Sequence, residues 1–294
     1  MTSVFLDDWA KGLLVDPIGK SRLEFRGNTV CSDYGRCYPI RGGIIDLRPF
    51  AASVGEHAET WKTGQMAYES WSDAVARKDS RADYEEELDS VRDVYEAIPI
   101  HGACLDVGGH QGRLRAFLAP DQKYMVIDPF INVFDDIKLQ PNLLEAYPFL
   151  TESVNFVCGV AEHLPVRANS FDVVHMRSVI DHFQDPALAL LEAYRVLKEG
   201  GYLVVGLFVE GGETGRLTLT EQAKELVRTI LPWFGIKKWT DHHVWHPTYA
   251  ELVALIQASG FAIDLVYWQK AFVDRVCYIK ACKRKPDIAQ SNRD

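Results

Sequence analysis

Nowhere does this 294-residue sequence hold an apolar run near the roughly 20 residues that cross a bilayer, and its N-terminus lacks a basic start followed by an apolar core. Neither a spanning segment nor a secretory leader is expected, and a cytoplasmic chain without membrane insertion is the expectation. Positive charge is scarce: 32 Lys and Arg stand against 41 Asp and Glu, a formal charge of −9. Such a surface repels a phosphate backbone unless cations gather locally, and only the Lys280 to Lys285 end gathers them, so nucleic acid is not an expected partner. The six cysteines are scattered at 31, 37, 104, 158, 277 and 282, and no disulfide framework is implied. Cys104, Cys158 and Cys277 sit in apolar runs, where they act as small hydrophobes. A dinucleotide fingerprint is also lacking. Starting from Gly108 it needs glycine at 110 and 113, where the chain has His110 and Arg113.

What the chain does have is a 47% hydrophobic composition, ample for a buried core, and a length that suggests about two structural units. Its most telling stretch is Ala103-Cys104-Leu105-Asp106-Val107-Gly108-Gly109-His110-Gln111-Gly112, a buried strand that turns through glycines into a helix. Glycines at 108, 109 and 112 let backbone approach a ligand, and the helix that follows aims its free N–H groups at it. Asp106, at the strand end, can accept from ligand amine or backbone donors. Tyr124-Met125-Val126-Ile127-Asp128 then reads as the second strand, ending in an acid about twenty residues on, where a βαβ unit places the group that holds ribose hydroxyls.

The Asp-x-Gly-x-x-x-Gly turn with Asp128 resembles the S-adenosylmethionine (AdoMet) pocket of class I methyltransferases. The resemblance runs from about residue 100 to 283. Phe156 to Pro165 and Ser170 to His175 look like the third and fourth strands of the small-molecule methyltransferases related to ubiquinone-biosynthesis enzymes. Asp185-Pro186, a helix ending Tyr194-Arg195-Val196-Leu197-Lys198-Glu199-Gly200-Gly201, and the strand Tyr202 to Gly206 match that family's signature, with the glycine pair expected as a left-handed helix cap. The resemblance implies AdoMet as cofactor, held by Asp106, Gly108, Gly109, His110, Gly112, Asp128, Pro129, Val160, Ala161, Glu162 and Arg177. Two positions depart from the family: His110 stands where it usually has glycine, and Val160 where it has an adenine-reading aspartate.

Residues 1–50 resemble the zinc-ribbon-like β module that precedes some methyltransferases. Relatives grip the metal with two Cys-x-x-Cys pairs. Here Asp16, Gly19 and Tyr34 take three of the four ligand positions and only Cys31 remains, so the module is expected to fold without metal. Residues 51–99 read as a helical connector, with a break near Lys78-Asp79-Ser80 and an acidic helix from Asp83 to Ile98. Trp61, Tyr68 and Trp71 share one helix face there, either as core packing or as a lid over the pocket.

Methyl transfer is an in-line displacement at an activated sulfonium, so alignment and exclusion of water matter most, and a hydroxyl acceptor also wants a base. Two segments offer one. In Arg177-Ser178-Val179-Ile180-Asp181-His182, at the carboxyl edge of the sheet, Arg177 or Ser178 faces AdoMet while Asp181 and His182 face the acceptor; the bland alternative has Asp181 capping a helix and His182 packed beneath Phe183. In Asp241-His242-His243-Val244-Trp245-His246-Pro247-Thr248, the histidines can supply a base or bind a metal. Only Asp241 offers an oxygen ligand in the local sequence, so no metal is expected. Thr248 and Glu251 form a capping box for the helix Tyr249 to Ser259.

Residues 208–248 are an insertion on the acceptor side, with a helix from Thr220 to about Leu231. Its Trp233, Phe234, Trp239 and Trp245 either stack on a substrate or fill core. Two antiparallel strands, Phe261 to Gln269 and Val273 to Lys283, close the sheet, and 286–294 form a tail. The expected fold is therefore a Rossmann-like α/β domain at 100–285, with a seven-stranded mostly parallel sheet, helices on both faces, a small N-terminal β module and a helical lid. The expected activity is AdoMet-dependent methylation of a small molecule, at a hydroxyl oxygen of a sugar, glycan precursor or secondary metabolite, with His182, His243, His246 and Asp181 as catalytic candidates. N- or C-methylation, a non-catalytic AdoMet-binding scaffold and homo-oligomerisation stay open.

Overall fold

A computed structural model describes residues 6–49, 63–64, 66, 80–134, 141–230, 243–270 and 275–284. Trp61, Tyr68, Trp71, Trp233, Phe234, Trp239, Asp241 and His242 lie outside the described residues. Eleven strands form one mixed sheet: β1 (Leu23–Arg26), β2 (Thr29–Ser32), β3 (Cys37–Arg41), β4 (Ile44–Asp46), β5 (Cys104–Val107), β6 (Tyr124–Asp128), β7 (Asn155–Cys158), β8 (Phe171–Arg177), β9 (Leu197–Phe208), β10 (Phe261–Trp268) and β11 (Val276–Lys283). Their spatial order is β1-β2-β3-β4-β7-β6-β5-β8-β9-β11-β10. Six consecutive strands, β4 to β9 in space, run parallel, and antiparallel pairs flank them on both sides.

Among the described residues, 104–283 contribute seven strands, and the sheet reaches eleven because four leader strands, expected as a separate module, extend it. The N-terminal strands join the main sheet, because β4 pairs in parallel with β7 through Ile45–Val157 and Asp46–Cys158. β7 is apolar on both faces, and without this neighbour its edge N–H and C=O groups would be an exposed pairing template. Val30, Tyr38, Ile45 and Leu47 accordingly belong to the same core as Leu105, Met125 and Val157.

Side chains alternate across the strands and both faces are buried, as parallel strands between helices require. Leu105, Val107, Met125, Ile127, Val174 and Met176 face α1 (Asp8–Leu13), α4 (Pro186–Val196) and α6 (Tyr249–Ala258). Cys104, Val126, Phe156 and Val173 face α2 (Arg81–Ala97), which contributes Val91, Val94 and Tyr95. α2 opens on a capping box between Ser80 and Asp83, and α6 on the box between Thr248 and Glu251. Two further helices, α3 (Pro141–Ala146) and α5 (Leu219–Ile230), precede β7 and follow β9.

Three local expectations are revised. The glycine pair Gly200-Gly201 is not the helix cap: α4 ends at Val196 with Leu197 N–H donating to Ala193 O, and Gly200 makes its left-handed turn inside β9 at φ +75°. Asp181 does not cap α4; Asp185 does, accepting from Leu188 N at 2.9 Å. Cys31 and Cys37, for which no bridge is expected from the scattered cysteines, form a disulfide. They stand opposite each other in the β2–β3 register with Cα atoms 4.1 Å apart, a closeness that sequence spacing alone does not convey.

Asp16 is fully buried and organises the leader by hydrogen bonds. It accepts from Ile18 N at 2.8 Å, Gly19 N at 2.6 Å, Arg36 Nη1 at 3.2 Å and the Tyr38 hydroxyl at 3.2 Å. Burial opposes its charge, but these donors prevail and its pKa is lowered.

Candidate functional site

Two cavities lie at the carboxyl ends of the parallel strands, where open α/β folds place their ligands. The first is floored by the bend after β5. Gly108 turns at φ +72°, and a Cβ there would lie 2.5 Å from Val179 Cγ1, so no larger residue fits. His110 follows at φ +49° and Gly112 at φ +83°. The helix after them is not the α-helix expected but a five-residue 3-10 turn, Arg113–Phe117.

The bend's amide groups serve Asp128. His110 N donates to Asp128 Oδ2 at 2.9 Å and Phe130 N to Asp128 Oδ1 at 2.9 Å, fixing the carboxylate at the cavity wall. A carboxylate oxygen accepts more than one hydrogen bond, so a carboxylate pinned by backbone donors still receives hydroxyl groups. Pro129, Val160, Ala161, Glu162 and His182 line the same cavity, together with Ile127, Phe130 and Phe183, which make it largely apolar. Gly64 of the connector reaches it too.

Two titratable groups in this wall are perturbed. The His110 ring stands edge-on to Phe130 at 6.1 Å, and burial, helped by the neighbouring Arg113 charge, lowers its pKa to about 4. It is neutral at pH 7. Glu162 accepts from Gln184 N at 2.8 Å and Asp185 N at 3.3 Å, yet burial outweighs these bonds and raises its pKa.

Four residues predicted for the pocket sit elsewhere. Asp106 is buried beneath the bend and accepts from the Tyr124 hydroxyl at 2.5 Å and from His175 Nδ1 at 2.7 Å. On the far side of the same ring, His175 Nε2 is hydrogen-bonded with the Tyr95 hydroxyl at 3.0 Å. Gly109 is small because Asp106 lies against it: a Cβ would be 2.3 Å from Asp106 Oδ2. Gly112 likewise clears the Tyr124 ring. Arg177 points to the opposite face of β8, 3.8 Å from Glu87, since strand alternation turns it away from Ser178. Ser178 is the residue that lines the cavity, with a left-handed φ of +53° and its N–H on Gly206 O at 2.7 Å.

The second cavity, about 590 Å³, opens beside the first. Asp181, His243 and His246 line it, with Trp245, Glu210 and Glu221. Asp181 O accepts from Val244 N at 2.8 Å and Trp245 N at 3.2 Å, which pins the histidine segment to the turn after β8. Three of the four predicted acceptor-side groups consequently converge: His243 Nε2 lies 3.5 Å from Asp181 Oδ2, His182 Nε2 lies 4.0 Å from Asp181 Oδ1, and the His182 and His243 ring centroids are 4.5 Å apart. His246 stacks edge-on to His243 at 5.5 Å. Thus His182 faces the first cavity and Asp181, His243 and His246 the second.

Comparison with known proteins finds a similarity over the strand-and-turn segment. Residues 105–205 match the family described as "Methyltransferase domain". The malonyl-[acyl-carrier protein] O-methyltransferase of a Marinomonas species is 28% identical over 136 residues, covering 45% of this chain and 48% of that protein. The ubiquinone/menaquinone biosynthesis C-methyltransferase of Rhizobium rhizogenes is 46% identical over 61 residues, covering 21% and 24%. The chain spans less than half the length of these curated relatives. Among solved structures, a SAM-dependent methyltransferase from Thermotoga maritima aligns with 77% of this chain and 99% of its own at 22% identity and a TM-score of 0.48.

Proposed function

We propose that this chain is an AdoMet-dependent methyltransferase, with the class I arrangement of strands β5 to β11, acting on a hydroxyl oxygen of a small molecule. The observation that carries the reading is Asp128, a carboxylate at the end of β6 held by the His110 and Phe130 amides on the wall of a mostly apolar cavity. This donor set suits an adenosine: a carboxylate for ribose hydroxyls beside apolar surface from Ile127, Val160, Ala161 and Phe183 for a flat ring. A pinned acceptor of this kind discriminates strongly for a ligand that brings hydroxyl donors.

AdoMet supplies a methyl group already activated on a sulfonium. The chain's own part is to hold, orient and keep dry. Gly108 permits close backbone approach, and His110, neutral at pH 7, adds no repulsion for a cationic ligand. On the acceptor side, the imidazoles of His182 and His243, backed by the Asp181 carboxylate, are where a hydroxyl would leave its proton. A kinship with ubiquinone-biosynthesis enzymes, a leader module descended from a zinc ribbon, and a cytoplasmic site of action belong to the same proposal.

The test is methyl-labelled AdoMet incubated with a library of sugars, glycan precursors and phenolic or polyketide metabolites, the product read by mass spectrometry and NMR. Label on an oxygen, reduced about a hundredfold in His243→Ala while AdoMet affinity is kept, is the expected result. Label on nitrogen or carbon would overturn the choice of atom, and no transfer to any acceptor would favour a scaffold that binds AdoMet without turning it over.

A further inference from the structure

The meeting of Asp181, His182 and His243 is not visible in the local sequence, which offers only Asp241 as an oxygen ligand for the histidines. Asp181 comes from 62 positions upstream, carried there by the turn after β8 and fastened by its carbonyl to Val244 and Trp245. Among the described residues these three side chains bring one imidazole nitrogen each from two histidines and one carboxylate oxygen to within 4.8 Å of one another.

Their spacing does not suit a plain hydrogen-bonded cluster. His182 Nε2 is 4.0 Å from Asp181 Oδ1 and His243 Nε2 is 3.5 Å from Asp181 Oδ2, beyond the roughly 2.7–3.2 Å of a good N–H to oxygen bond. Asp181 Oδ1 is buried and has no hydrogen-bond partner among the described residues, a costly condition for a carboxylate oxygen unless something else compensates it. Ligand atoms about 2.0–2.1 Å from a tetrahedral metal ion stand about 3.4 Å apart. His182 and His243 approach different oxygens of Asp181, and with one oxygen as the shared ligand the three atoms, within 4.8 Å of one another, close by at most about 1.4 Å to reach that value. Glu210 brings a further carboxylate to the same cavity wall, while Glu221 is paired there with Arg275.

We propose that Asp181, His182 and His243 bind a divalent first-row transition-metal ion, of the Zn²⁺ or Mn²⁺ type, between the two cavities. Two imidazoles and one carboxylate form the mixed nitrogen–oxygen set that such ions take, and three protein ligands leave a coordination position open for an outside oxygen. The role that follows rests on the methyltransferase reading. With the ion bound, His182 and His243 would serve as ligands instead of as bases, and an acceptor hydroxyl at the open position, its pKa lowered by the ion, would give its proton to water in the second cavity. The oxygen then forms the new O–CH₃ bond, and the sulfur of the donor keeps the electron pair of the S–CH₃ bond that breaks.

Binding is tested on the full chain, without AdoMet or acceptor, so its result is independent of whether the protein methylates. Chelator-treated protein is titrated with Zn²⁺ and Mn²⁺ by calorimetry and with Co²⁺ by absorption spectroscopy. Expected are one equivalent per chain, a Co²⁺ ligand-field band without thiolate charge transfer, and a tenfold or greater loss of affinity in Asp181→Asn and in His243→Ala, with His101→Ala unchanged. His243 is 42% exposed, so its truncation leaves the fold intact and keeps the test meaningful if Asp181→Asn is unstable. Absence of saturable binding, a thiolate spectrum, or equal affinity in His243→Ala and the native chain would overturn the proposal.

Discussion

Replacing His110 with glutamine should make the protein relatively more stable in mild acid. In the native fold the ring's pKa is lowered to about 4 from 6.5, because burial and the nearby Arg113 disfavour its charged form. Between those two values the unfolded chain binds a proton that the folded chain does not, so stability rises with pH across that window and falls on acidification. The full shift corresponds to about 3 kcal/mol, as an upper limit for a ring whose edge stays partly accessible from the cavity. Linkage then gives a loss of about 1.4 kcal/mol at pH 5.5 and about 2.5 kcal/mol at pH 4.5, relative to pH 7.5. Glutamine keeps hydrogen-bonding capacity and cannot titrate. Urea unfolding of both proteins at pH 7.5, 5.5 and 4.5 should show the variant gaining on the native chain by those amounts. A stability difference that stays constant over that range would refute the reasoning, since His110 would then have the same pKa folded and unfolded.

Two further expectations follow from the bend and the leader. Gly108→Ala meets both a left-handed φ of +72° and Val179 Cγ1 at 2.5 Å, and should cost about 2–4 kcal/mol in urea unfolding, of which Val179→Ala recovers the contact but not the backbone part. Asp16→Asn sets an amide among donors that now face a carboxylate, and should cost about 2 kcal/mol at pH 7 without changing affinity for S-adenosylhomocysteine. Because the Asp16 pKa is lowered in the fold, that cost is present above the ordinary value of 3.8 and shrinks as pH falls below it, which acid unfolding curves would check.

How much of the molecule is legible in its sequence depends on how far apart the partners lie. The strand at 104–107, the bend at Gly108 and the acid at 128 can be read from a run of neighbours, as can the Thr248–Glu251 capping box and the closing antiparallel pair, because each is a local pattern. The fate of Asp106 cannot. Its partners Tyr124 and His175 are 18 and 69 residues away, and only strand alternation in the folded sheet turns it under the bend rather than into the cavity. Arg177 departs from expectation for the same reason, one residue out of phase with Ser178. The leader reads as separate because residues 1–50 resemble a small β module of their own, yet pairing of β4 with β7 depends on an edge that no local signal marks. Cys31 and Cys37 lie across a hairpin, and their bridge depends on the register in which its two strands pair; positions six residues apart around a tight turn are the clue that local sequence offers.

The central claim is that the glycine bend and Asp128 together cradle the adenosine of a methyl donor. Calorimetric titration of the native chain and of Asp128→Ala with S-adenosylhomocysteine tests it most directly, with circular dichroism confirming that both are folded. Saturable binding to the native chain, weakened about tenfold to a hundredfold in the variant by loss of charge-assisted hydrogen bonds, is the predicted result. Equal affinity in the two proteins, or no binding to the native chain at millimolar ligand, would contradict it.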